Sequence, residues 1–183
     1  MEKTRLFLPP ASGRYSRAVH VAHRRYLVAE QCLGSAIFNF AINALIAWGL
    51  FRHLEEVPLW GQESIAGDTV GTCFFLPFFT GLIVTRLAHG RIRAGALPVL
   101  GRSRETLAGL GRLPGGTLRR SLVLGLLCAL LVAPPALLIL AALDVQSLSF
   151  WPFVTFKATF AAALAALVTP PIALAALADG RAE

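Results

Sequence analysis

Four long stretches of the chain are almost free of polar side chains, and the charges collect between them. They cover residues 32–51, 69–88, 121–143 and 153–177, which are 20, 20, 23 and 25 residues long. A helix rises about 1.5 Å per residue, so roughly 20 apolar residues cross the hydrocarbon core of a bilayer. Within the four stretches the only charges are Arg86, near one end of the second, and Lys157 in the fourth. Soluble helices would need polar faces, and four such stretches in 183 residues leave too little amphipathic sequence to cover them. The pattern predicts an all-α fold, an integral membrane four-helix bundle.

Small or polar residues recur at four-residue steps in every stretch. The first aligns Ser35, Asn39, Asn43 and Ala47, and the second Thr69, Cys73, Pro77, Gly81 and Thr85. The third aligns Ser121, Gly125, Ala129 and Ala133, and the fourth Lys157, Ala161, Ala165 and Thr169. Small residues at this spacing let helices approach closely, so each set is the expected bundle-facing stripe. Before the first stretch, Tyr15, Val19, Ala22, Tyr26 and Ala29 fall at helical spacing among Arg14, Arg17, Arg24 and Arg25. That segment, within residues 1–31, reads as a basic amphipathic helix lying on the membrane surface.

Composition agrees with a membrane protein: 56% hydrophobic and 15% charged residues, with a mean hydropathy of +0.66. Soluble domains carry about 25% charged residues. The net charge of +7 would point to nucleic acid in a soluble protein. Its distribution points elsewhere. Residues 1–31 hold six cations and two anions, and residues 86–120 hold eight Arg and only Glu105. The intervening 52–68 carries Arg52 against four acids, and 144–152 carries only Asp144. Together with the tail, which holds Asp179, Arg181 and Glu183, alternate segments sum to +10 and −4. Flanking Arg and Lys stay cytoplasmic, so both termini and the 89–120 loop are expected inside, with the acidic loops outside. The basic segments would touch anionic lipid headgroups. Nucleic acid is not an expected partner, because neither basic segment carries an aromatic-interleaved motif.

The first apolar run begins some thirty residues in and is a full span, unlike the short run of a cleavable signal peptide. Arg outnumbers Lys 15 to 2 in an Ala- and Gly-rich chain, which suggests a GC-rich bacterial genome and hence a bacterial cytoplasmic membrane. The segments are then an N-terminal segment (1–31), a four-span domain (32–177) and a short cytoplasmic tail (178–183).

Candidate chemistry is sparse. Cys32, Cys73 and Cys128 make no C-x-x-C and are expected to pack as small apolar side chains. His20 and His23, and His53 beside Glu55 and Glu56, lack the ligand sets of a metal site. No phosphate-loop or nucleophile motif appears, so neither a cofactor nor a catalytic residue is expected. What remains is an intramembrane polar cluster: Asn39, Asn43, Lys157, and the acids Asp68 and Asp144 at matching height on other spans. Buried amides and charges need partners, which makes these residues the candidate site. Leu131-Val132-Ala133-Pro134-Pro135 matches Leu167-Val168-Thr169-Pro170-Pro171, a candidate inverted repeat. Pro134, Pro135, Pro170 and Pro171, with Pro77, are candidate kinks, because each removes a backbone bond and clashes with the preceding turn.

The leading functional expectation is a small transport-related, permease-like protein acting as a homo-oligomer or with a membrane partner, since four helices enclose little pathway. A structural or regulatory membrane subunit without cargo is the alternative, and a membrane-embedded enzyme is least favoured. A polar cavity joining Asn39, Asn43 and Lys157 would support transport. A filled bundle with an apolar groove would support the subunit.

Overall fold

The computed structural model describes residues 32–94 and 116–179. The expected surface helix over 15–29, most of the 89–120 loop and the end of the tail lie outside the described residues. The described chain is α1 (Ser35–Phe51), β1 (Glu56–Pro58), α2 (Ile65–Arg93), α3 (Thr117–Leu131), α4 (Ala133–Ala142), β2 (Ser147–Ser149) and α5 (Phe150–Asp179). Four helical segments are long and apolar enough to cross a membrane: Cys32–Phe51, Ile65–Arg93, Thr117–Ala142 and Phe150–Ala176. The first coincides with the sequence reading. The others extend it by several residues at one or both ends, because helix geometry continues into the polar flanks.

The start of α2 is fixed locally. Ser64 is its N-cap: the hydroxyl accepts from the Gly67 N–H at 3.1 Å and donates to the Gly61 carbonyl at 2.9 Å. That satisfies one of the first-turn donors that a helix leaves unpaired. At its other end Arg91 and Arg93 occupy the last turn, where the helix dipole favours cations.

The proline pairs behave differently. A helix boundary falls at Val132, so Pro134 and Pro135 sit in the first turn of α4, where a missing N–H breaks no bond that the new helix needs. The third span is therefore two helices. Pro170 and Pro171 lie inside α5, which continues through them as one helix, and Pro77 lies inside α2.

A feature absent from the sequence reading joins the two acidic loops, 52–68 and 144–152. β1 and β2 pair antiparallel, with Glu56 opposite Ser149, Val57 opposite Leu148 and Pro58 opposite Ser147. The flanking bonds Leu59 N–H to Gln146 C=O (2.8 Å) and Phe150 N–H to Glu55 C=O (3.0 Å) extend the ribbon. Val57 and Leu59 turn inward and are almost fully buried with Phe51, Ile65 and Phe153. Strands of three residues are too short to carry an alternation that a sequence pattern could reveal.

The helices neighbour one another in the order α1, α5, α2, α3. Among the described residues, a fourth extensive contact, α1 against α3, is missing. The fold is thus closer to a row than to the closed ring that a four-helix bundle implies. Buried residues make up 39% and 44% of the apolar windows of α2 and α5, against 11% and 17% for α1 and the α3–α4 span. So α2 and α5 form the centre and the other two flank it.

The contacts within this row follow the small-residue stripes. Thr69, Cys73, Pro77, Gly81 and Thr85 on α2 are buried, as are Lys157, Ala161, Ala165 and Thr169 on α5. Gly81 lies against Ser121, and a Cβ on Gly125 would sit 2.7 Å from the Phe74 carbonyl oxygen. The α2–α3 packing therefore requires glycine at both points.

Candidate functional site

Two polar places interrupt the apolar interior, one near each end of the molecule. The end that carries the β1–β2 ribbon holds the first. Lys157, two turns into α5, forms a salt bridge with Asp68 in the first turn of α2. Their side chains are 4% and 12% exposed. The ammonium also lies 5.9 Å from the centre of the Phe51 ring, at the end of α1. One cation thus links α1, α2 and α5 where they converge beneath the ribbon. A charge so far from water needs this company, since an unpaired buried ion costs several kcal/mol.

The other members of the expected cluster are placed differently. Asp144 is exposed, has φ 55°, and accepts a hydrogen bond from the Gln146 side chain at 3.0 Å. It ends α4 in a left-handed conformation that Asp tolerates better than most residues. The Asn39 amide donates to the Ser35 carbonyl and the Asn43 amide to the Asn39 carbonyl, each at 2.9 Å and four residues back along α1. Asn43 is buried and Asn39 half-buried. Of the five candidates, the recorded side-chain bonds connect only Lys157 and Asp68 across helices.

The second polar place is at the opposite, basic end. Arg120, in the first turn of α3, is 9% exposed, and its guanidinium donates to the Thr85 hydroxyl on α2 at 3.4 Å. The sequence reading counted Arg120 only as a loop charge. A visible signal was its register: Arg120, Leu124 and Cys128 follow at four-residue steps along one face of α3. That face lines a groove of about 120 Å³ between α2, α3 and α5, closed on the other sides by Pro77, Leu167 and Pro171 among others. Its walls are almost wholly apolar apart from Arg120.

Two buried side-chain atoms, Thr169 Oγ1 and His89 Nε2, have no hydrogen-bond partner among the described residues. Cys32, Cys73 and Cys128 are free thiols. Among the described residues, no group of three His, Cys, Asp or Glu side chains is placed to hold a metal ion. His53 pairs with Glu63 at 2.9 Å on the exposed loop. Trp60 and Trp151 are exposed at the same ribbon end, and Arg52 lies 4.8 Å from the centre of the Trp48 ring.

Comparison with protein-family models, with curated proteins and with solved structures finds no match to this chain.

Proposed function

We propose that the chain is a multi-pass protein of a bacterial cytoplasmic membrane, with both termini inside, acting as a structural or regulatory membrane subunit. One observation carries this reading: the helices stand in a row whose two flanks, α1 and α3–α4, present broad apolar faces. Ile37, Phe38 and Leu45 on α1 and Leu130, Leu131 and Leu138 on the other flank are all more than half exposed. Within the row the amide groups of Asn39 and Asn43 are turned onto their own helix, and the buried Lys157 and Asp68 pair with each other. That arrangement offers surfaces for lateral contact rather than a lined passage. The charge asymmetry of +10 against −4 supports the orientation.

The test is photo-crosslinking in the native membrane from Phe38 on α1 and Leu130 on α3, with Ala161 on the buried face as control. Discrete protein adducts at either flank, to a second copy or to another membrane protein, are expected. Lipid adducts alone at both flanks would overturn the subunit role.

A permease-like role has one observation in its favour, the buried Lys157–Asp68 pair, since charges held inside a membrane often serve ion or proton pathways. It predicts a proton or solute flux in proteoliposomes that Asp68→Asn abolishes while leaving the protein folded.

A further inference from the structure

The groove at the basic end has a shape and a charge that together select an occupant. It is narrow, about 120 Å³, and walled by Leu124 and Cys128 of α3, Pro77 of α2, and Leu167 and Pro171 of α5. A helix of a partner protein is about 10 Å across and does not fit inside such a space, whereas a segment of a single hydrocarbon chain does. Arg120 stands at its basic end. The surroundings reinforce that charge: Arg119 precedes it, and Arg86, Arg91 and Arg93 lie on the neighbouring end of α2. Moreover, the first turn of α3 contains Arg119 and Arg120 and no acidic residue. This is the reverse of what the helix dipole favours, and an anion beside that turn would relieve it.

We propose that this groove binds an anionic phospholipid, with one acyl chain along Leu124, Cys128, Leu167 and Pro171 and the phosphate against Arg120. The proposal rests on the membrane reading above. The fit is in sign as well as shape: an apolar trough leads to a cationic end, matching an apolar tail that leads to an anionic phosphate. A guanidinium carries five donors in a fixed fork and suits phosphate, so Arg120 meets Thr85 and a phosphodiester by the same chemistry. The site is distinct from the Lys157–Asp68 pair, which lies at the other end of the helices.

The full chain, purified in a non-ionic detergent, is titrated with phosphatidylglycerol and with phosphatidylcholine of the same acyl chains. Glycerol phosphate serves as the soluble headgroup. Thermal unfolding and native mass spectrometry report binding. Phosphatidylglycerol is expected to raise the unfolding midpoint and to remain as a one-to-one adduct, with little effect from phosphatidylcholine or glycerol phosphate. Arg120→Gln should weaken phosphatidylglycerol binding about tenfold, the loss expected for a hydrogen bond to a charged group. Arg119→Gln, at the exposed neighbour, should keep the preference. Cys128→Phe fills the trough and leaves the charge in place, so it should remove the adduct. It also decides the matter if Arg120→Gln fails to fold. Equal stabilisation by both lipids in the wild type would overturn the proposal, as would a preference that survives Cys128→Phe. Glycerol phosphate matching the lipid would replace it with a soluble anion. A chain that stays in solution without detergent would instead overturn the membrane reading itself.

Discussion

Lys157 is the residue on which most depends at the ribbon end, because its ammonium serves three helices. Lys157→Met leaves the Asp68 carboxylate buried with no counter-charge, and Asp68→Asn leaves the ammonium so. Each should cost about 3–5 kcal/mol. The double variant should cost clearly less than the sum, and thermal unfolding in detergent of the four proteins measures the difference. Strict additivity would refute the coupling. The two tight glycines yield a second expectation. Gly81→Val and Gly125→Val should destabilise by about 1–3 kcal/mol through overpacking against Ser121 and Phe74, whereas Gly49→Ala, which meets nothing within 4 Å, should be nearly neutral. Which residues face inward was legible in the sequence, since small side chains at four-residue steps leave little choice of face. Lys157 and Asp68 were legible as candidates for the same reason. Asp144 was an equally good acid by height alone. What distinguishes it is the left-handed turn at the end of α4, and height along a span contains no information about that turn. Arg120 escaped the reading because a count of loop charges ignores which side of the first helical turn an arginine occupies.

Among the elements, the third span shows how composition and conformation separate. From Ser121 to Ala142 it is apolar almost without interruption, yet its backbone is broken at Val132. Pro134→Ala with Pro135→Ala should let α3 run on into α4. Spin labels at the exposed Leu122 and Ile139 would then move apart, and an unchanged distance would show that the break does not depend on the prolines. The same dipeptide at Pro170-Pro171 leaves α5 unbroken. A proline pair is therefore a local disposition, and neighbouring packing decides whether a helix ends there. Pro171 lies on the groove wall and Thr169 is fully buried, so that part of α5 is held on more than one side. The β1–β2 ribbon, in contrast, has no sequence signature of its own. It arises because two loops of the right length meet at one end of α1, α2 and α5.

For the whole molecule, the expectation concerns orientation. Reporter fusions after Glu63 and after Asp144 should read as external, and fusions after Arg104 and Glu183 as cytoplasmic. A cytoplasmic signal at Glu63 would overturn the charge argument. The four helices long and apolar enough to cross a membrane were readable, because apolar length alone marks them. Neighbour order was not, because it depends on which stripes match. Here Gly81 and Gly125 select α2 against α3, and α5 is left to serve both α2 and α1.

That last pairing has a consequence for how the chain is made. Among the described helices, the first to leave the ribosome, α1, packs on the last, α5, and about a hundred residues separate the end of one from the start of the other. At roughly 5–20 residues per second, α1 waits about 5–20 s before its partner exists. During that interval the face of α1 that carries Asn43 and Ala47, buried in the finished fold, has no α5 to cover it, and the β1 strand has no mate. A nascent chain stopped at residue 143 would be left permanently in this condition. It should be removed by membrane proteases much faster than the full chain, and pulse-chase labelling of the two would measure the difference. Co-expression of residues 144–183 as a separate fragment should slow that removal if the late helix is what the early one lacks.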